Sequence, residues 1–320
     1  MAIETLLDKL QTDDHLTPSD ISALSGIAGA DRDRFLDTWR DLSIARRRSV
    51  VDWLAELSED SAEYDFAPVF MAGLFDDDVQ VRGESIKGLW EYEGDDLVPV
   101  LMRLLGDPEA LVRGEAALGL GRYLLRAELS DRADERVVEI ESGLRTVLHD
   151  AGELPEVRGR ALEALGVRRH EWVRDEIDDA YGSGERRMRI SAVHAMGRSA
   201  DPEWLPTILE EMQSDDGEMR FEAATAAGMI AEEDAVPELA ALTIDDDAEV
   251  QEAAISALGQ IGGPAARSAL HSVASETRDE RVLEAVTDAL SEADFMEDPL
   301  SVQAFIDQSL SEEQDEEDDE

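Results

Sequence analysis

From residue 64 to residue 292 the apolar positions return every three or four residues, the period of a helix with one buried face. That helical pattern itself repeats. Val81-Arg82, Val112-Arg113, Val157-Arg158, Met188-Arg189 and Met219-Arg220, with Val250-Gln251 as a sixth, stand 31, 45, 31, 31 and 31 residues apart. Other columns keep phase with this one. Three residues after the Arg come Ser85, Ala116, Ala161, Ala192, Ala223 and Ala254, small side chains where helices must approach closely. Seven residues on are Leu89, Leu120, Leu165, Met196, Ala227 and Leu258. Eight on are Trp90, Gly121, Gly166, Gly197, Gly228 and Gly259, and the five glycines predict helix ends in the left-handed conformation.

The prolines supply an independent register. Pro68 and Pro99 are 31 residues apart, as are Pro206 and Pro237, and Pro99 to Pro206 spans 107 residues, in phase with the Arg column. Each precedes an amphipathic run such as Val100–Leu105, so each sits in the first turn of a helix, where a missing N–H costs nothing. A repeat is therefore two helices: a Pro-started one, an acidic turn such as Asp107-Pro108-Glu109, and the Val-Arg helix. The expected class is all-α, an α-solenoid forming a right-handed superhelix of helical hairpins with a period of about 31 residues.

Residues 1–62 read as an N-terminal helical cap plus a divergent repeat. Thr17-Pro18-Ser19-Asp20 signals a helix start, and Phe35, Trp39, Leu42, Val50, Val51 and Leu54 keep helical spacing. Residues 63–293 form the array, with a 14-residue insertion between 122 and 156 whose first part extends a helix; it is either a docking element or drift in a tolerant loop. Residues 294–310, with Phe295, Met296, Leu300, Val302, Phe305, Ile306 and Leu310, read as a capping helix or a peptide for another protein, and 311–320 as a disordered acidic tail.

At these columns the chain resembles the HEAT-repeat proteins of the phycobilisome-lyase type, whose pattern is Asp-x-x-x-x-Val-Arg-x-x-Ala-x-x-Ala-Leu-Gly. Asp107–Gly121 and Glu156–Gly166 match it well, and Asp245–Gly259 matches with Gln251 in place of Arg. The resemblance covers about seven repeats over residues 64–292. It implies an extended surface lined by the second helices, and it leaves three functions open: a non-catalytic scaffold that binds another protein, a bilin lyase or chaperone acting on a tetrapyrrole-carrying protein, and a metal-dependent hydroxylase like deoxyhypusine hydroxylase.

Charge narrows the choice. There are 77 acidic and 29 basic residues, for a formal net charge of −48, and only Lys9 and Lys87 are lysines. Such a surface repels phosphate, which argues against nucleic acid or an anionic membrane as partner. The bias also resembles proteins of salt-accumulating halophiles. The absence of Cys excludes disulfides and thiolate chemistry. The N-terminal segment has no basic and long apolar signal pattern, so a cytoplasmic location is expected.

Candidate chemistry is sparse. The histidines are His15, His149, His170, His194 and His271, with no His-Glu-x-x-His and only one His-Glu dipeptide, His170-Glu171. No metal, cofactor or catalytic residue is expected. The turns Asp76-Asp77-Asp78 and Asp245-Asp246-Asp247 read as solvated. The ladder Arg82, Arg113, Arg158, Arg189 and Arg220 reads as ties between repeats, with an anion-binding groove as the alternative. Positions two and five after each Arg are expected to be exposed and to meet a partner: Glu84, Lys87, Glu115, Arg160, Glu163, Ser191, His194, Glu222, Thr225 and Ser256, with Phe221 as an apolar anchor. The strip is mainly acidic and suits a protein bearing a basic segment.

Overall fold

The computed structural model describes residues 2–12, 16–61, 63–130 and 135–297. Among them there are helices and turns only. The segment 298–310 of the expected capping helix, the tail 311–320, His15 and the loop 131–134 lie outside the described residues. The chain divides into two compact units, Met1–Ala164 and Leu165–Glu320.

In the first unit the order is α1 (Ala2–Thr12), α2 (Pro18–Ile21), α3 (Gly29–Asp41), α4 (Ile44–Asp60), α5 (Ala67–Gly73), α6 (Val79–Lys87), α7 (Leu97–Leu104), α8 (Ala110–Leu129), α9 (Glu135–His149) and α10 (Pro155–Leu165). The start of α2 is a reciprocal cap: Asp20 accepts the Thr17 N–H at 2.9 Å while the Thr17 hydroxyl oxygen accepts the Asp20 N–H at 3.3 Å. Lys9 also reaches Asp20 at 2.6 Å, and this pair holds the Asp20 carboxyl down at about 2. Phe35 and Trp39 of α3 and Val50, Val51 and Leu54 of α4 are buried. From α4 onward α4, α6 and α8 pack in succession, with α5 against α6 and α7 against α8.

The second unit holds α11 (Glu171–Gly182), α12 (Arg186–Arg198), α13 (Leu205–Glu211), α14 (Gly217–Ile230), α15 (Val236–Leu242), α16 (Ala248–Ile261), α17 (Gly263–Glu276) and α18 (Glu280–Glu297). Second helices α12, α14, α16 and α18 stack one on the next; α11, α13, α15 and α17 pack each against its own partner. The first helices α5, α13 and α15 carry Pro in their first turn. Their apolar stripes, such as Leu205 and Ile208 or Val236, Leu239 and Leu242, are buried. Second helices start on aspartates: Asp78, Asp216 and Asp247 accept backbone N–H groups of the first turn.

The small column three residues after the Arg is fully buried in all six repeats. The glycine column behaves differently from the expectation that it ends helices. Gly121, Gly197, Gly228 and Gly259 lie inside α8, α12, α14 and α16, Gly166 follows α10, and none has a positive φ. The left-handed residue comes three positions later, at Ala200 (φ 48°) and Ala231 (φ 58°).

What the glycines do is admit the next repeat. A Cβ on Gly166 would lie 2.9 Å from the Ala195 Cα, one on Gly197 2.6 Å from the Ala226 Cα, one on Gly228 2.9 Å from the Ala257 Cα and one on Gly259 2.9 Å from the Ala289 Cα. In the first unit a Cβ on Gly121 would lie 3.0 Å from the Ala164 Cα. Ordinary carbon contacts need about 3.5–4.0 Å. Each glycine thus lets its helix press onto an alanine of the following second helix, and the contact sets the stacking distance.

The acidic turns also depart from the solvated reading. Asp76 and Asp78 are buried and only Asp77 is open; at the other turn the Asp245 side chain is 8% exposed against 95% for Asp246.

Candidate functional site

The arginine column stands one turn into the second helices, where its side chains reach back over the acidic turns. Arg82 donates through Nη1 to the carbonyl oxygens of Asp76 at 2.8 Å and Asp77 at 3.2 Å. Its Nε and Nη2 donate to both carboxylate oxygens of Asp107, in the next repeat, at 3.1 and 2.9 Å. Arg113 repeats the arrangement, with the Asp107 carbonyl at 2.8 Å and the Glu153 carboxylate at 2.6 and 2.7 Å. Arg220 does so with the Ser214 carbonyl at 2.9 Å and Asp245 at 2.8 and 2.7 Å.

Only a planar fork with five donors can hold a carbonyl and a two-oxygen carboxylate together, which explains the residue type. Gln251 keeps the carbonyl half of the bridge, donating to Asp245 at 2.6 Å. The guanidinium bonds hold the Glu153 and Asp245 carboxyls below the usual carboxylate range, and the same bonds push Arg113 and Arg220 up.

Two ladder members differ. Arg158 donates to the Leu148 carbonyl at 2.9 Å, and Arg189 pairs with Glu211 at 2.7 Å above the Tyr181 ring. A further rung escaped the sequence reading: Arg47 donates to the Leu42 carbonyl at 2.7 Å and lies 2.9 Å from Asp76, which also accepts the Trp39 indole N–H at 2.8 Å. Arg47 sits 35 residues before Arg82, off the regular spacing, and is flanked by Arg46 and Arg48. These guanidinium groups spend their donors inside the chain.

The expected partner strip falls into two parts. In the first unit Lys87 pairs with Glu84 at 3.1 Å and approaches Glu115 to 3.9 Å, while Arg160 pairs with Glu163 at 2.8 Å. Burial pushes the Glu115 carboxyl up. Glu163 is a correction: it is 1% exposed, and Ser191 in the second unit is 0% exposed, so neither meets a partner. Both lie on the side of their helix that turns toward the stack: Ser191 is two residues and Glu163 five residues past the Arg, about 200° and about 140° around the helix, and the edge of the buried face is set by packing.

In the second unit the strip comes together. His194 Nδ1 lies 2.9 Å from the Glu222 carboxylate. Next to Glu222, the half-buried Phe221 and Thr225 of α14 meet Glu249, Glu252, Ser256 and Gln260 of α16 around a hollow of about 500 Å³. Glu249, Glu252 and Gln260 were not singled out from sequence, since nothing in their spacing separates them from the other exposed positions of an acidic helix. The hollow joins an aromatic ring to two carboxylates. An ammonium or guanidinium fits such a place, its methylene stem along the ring and its head at the carboxylates. Among the described residues no group of three or more His, Asp or Glu side chains is arranged to hold a metal ion, and no helix is long and apolar enough to cross a membrane.

Comparison with known proteins follows the same lines. No curated protein sequence matches the chain. Among solved structures it is similar to the complex of CpcE and CpcF of phycocyanin lyase from a Nostoc species, at 17% identity and TM-score 0.50, over 86% of this chain and 95% of that one. It is also similar to human deoxyhypusine hydroxylase at 21% identity and TM-score 0.36, over 91% of this chain and 96% of that one. For yeast importin-beta the figures are 13% and 0.47, over 91% of this chain and 46% of that one. At these identities the likeness concerns the fold. The family model described as HEAT repeats matches residues 67–140, 178–250, 205–291 and 237–317. These matches span more than half of the sequence and bear out the resemblance read from the repeat columns: the chain belongs to the HEAT-repeat family.

Proposed function

We propose that this chain is a non-catalytic scaffold that holds a cationic segment of another protein on the second-helix face of its second unit, with a Lys or Arg of the partner seated against Phe221 between Glu249 and Glu252. The observation that carries the reading is the hollow between α14 and α16, where the Phe221 ring is bordered by the exposed carboxylates of Glu249 and of Glu252, the latter in an open ion pair with Arg281 at 3.5 Å that a partner cation can replace. The excess of 77 acidic over 29 basic residues favours the encounter with such a segment. In the same reading the protein works in the cytoplasm of a salt-rich cell; long-range attraction is screened there, and contact with Phe221 carries more of the affinity. The bilin-lyase and hydroxylase readings rest on fold alone and gain no residue from this geometry.

The test starts from cross-linked partners recovered in the host's own salt. The cationic segment of a recovered partner is synthesised and titrated calorimetrically against the wild type, Phe221→Ala and Glu249→Gln/Glu252→Gln. Binding that weakens about 10-fold or more in both variants supports the seat. Equal affinity for all three proteins removes it.

A further inference from the structure

A second surface stands apart from the acidic face. Trp90 is the one member of the eighth column that is not glycine, and α6 ends three residues before it, at Lys87. The 14-residue insertion begins in the next repeat, where α8 runs on past Gly121 to Leu129. These two departures from the repeat, read separately in the sequence, meet in space. Trp90 and Tyr92 face Tyr123, Leu125, Arg122 and Arg126 across a hollow of about 700 Å³. Trp90 is 61% exposed, Leu125 40% and Leu129 79%, so three large apolar side chains lie open along one hollow.

The cations of this hollow say what it is built for. In the ladder, Arg82, Arg113, Arg189 and Arg220 are each matched to a carboxylate. Arg122 is half-buried and donates only to backbone, to the Leu89 carbonyl at 2.6 Å and the Gly119 carbonyl at 3.4 Å. No carboxylate pairs with it among the described residues, in a chain with 77 of them. Its neighbour Arg126 lies over the same Tyr123 ring, the two guanidinium carbons 5.8 and 5.1 Å from the ring centroid. Arg126 is tied to Asp95 at 2.8 Å and to the Glu93 carbonyl at 3.0 Å. Burial and the nearby Arg126 push Arg122 down from its usual value, the sign of a cation short of negative charge.

We propose that this hollow is a docking site for a partner segment in which an aromatic or aliphatic side chain stands beside a carboxylate, the apolar group packing on Trp90 and Tyr123 and the carboxylate completing the Arg122 guanidinium. Glu91 and Glu93 also line the hollow but are exposed to solvent, so the half-buried Arg122 decides its preference: a basic segment sets its charge beside Arg122 and Arg126, and a wholly apolar one leaves Arg122 more deeply buried and still without a carboxylate. The site differs in charge preference from the acidic hollow on α14 and α16, and either can fail without the other.

The test is selection of a displayed library of random 12-residue peptides on the full-length protein, followed by titration of synthesised winners. The expected consensus pairs Asp or Glu with Phe, Trp or Leu. Winners then weaken at least 10-fold on Trp90→Ala, a substitution at an exposed side chain that leaves the fold intact. Replacing the peptide carboxylate by its amide weakens binding about 10-fold on the wild type and changes nothing on Arg122→Gln, so that the two losses are one interaction. A library that returns no acidic-apolar motif overturns the proposal. So do winners that bind Trp90→Ala and the wild type equally, or an amide effect that persists on Arg122→Gln.

Discussion

Substituting Gly197 by Ala separates two roles a repeated glycine can have. A methyl at this position lands 2.6 Å from the Ala226 Cα and 2.8 Å from its Cβ. Neither atom can rotate away, because one is backbone and the other is fixed to it, so α12 and α14 must part by about 1 Å. Overpacking of this kind costs about 1–3 kcal/mol, and the rigid neighbour places it near the top of that range. Ala in place of Gly recovers at most about 1 kcal/mol of helix propensity, here in the last turn of α12. The net loss is about 2 kcal/mol. For a unit the size of the second one this lowers the melting temperature by about 4–8 °C, read by circular dichroism at 222 nm. Gly182→Ala is the control, since a methyl there meets nothing within 4 Å. A third variant, Gly197→Asn, tells the roles apart: a left-handed helix end tolerates Asn better than Ala, whereas a close contact tolerates it worse. In the Gly197→Ala background, Ala226→Gly should restore part of the loss by returning the space. The close-contact argument is refuted if Gly197→Ala melts at or above the wild type, or if Asn is the milder substitution.

The ladder and the charge of the chain lead to three more expectations. Arg220→Leu leaves the Asp245 carboxylate, 8% exposed, without its fork and should cost about 3 kcal/mol in urea denaturation, while Arg281→Gln, which breaks a pair whose side chains are 46% and 63% exposed, should cost less than about 0.5 kcal/mol. The pH dependence should run in opposite directions at two carboxylates. Asp245 is held below its unfolded value, so its contribution is present above about pH 4 and disappears as the pH falls through the folded pKa; the stability gap between wild type and Asp245→Asn should close on acidification. Glu115 is pushed up by burial, so its ionised form weakens the fold; Glu115→Gln should be the more stable protein at pH 7, the difference vanishing below about pH 4. Finally, raising potassium chloride from about 0.1 to about 1 M shortens the screening length from about 10 to about 3 Å and should raise the melting temperature of a chain of net charge −48; a fall would show that lost ion pairs outweigh relieved repulsion.

Much of this architecture is legible in one dimension, because each repeat meets the same neighbours as the last and must therefore carry the same residue types at the same places. The 31-residue spacing of Val-Arg pairs, the buried column from Ser85 to Ala254 and the helix-starting prolines follow from that periodicity, and with them the all-α class and the family. The meaning of the glycines did not follow. A glycine before a turn and a glycine under a neighbouring helix look alike in sequence, and only the position of Ala226 over Gly197 distinguishes them. The rung at Arg47 was hidden by its irregular spacing, and Glu163 was expected at the surface because a five-residue step along a helix does not say where the buried face ends. The candidate sites were less legible still. Phe221 was noticed, but Glu249 and Glu252 are two carboxylates among 77 until α14 and α16 are brought side by side. Trp90 and Arg122 stand 32 residues apart and come to share a hollow through the stacking of consecutive repeats. Periodicity in sequence records what every repeat needs in order to pack; a binding surface is made where repeats differ, and which differences adjoin is decided by the tertiary structure alone.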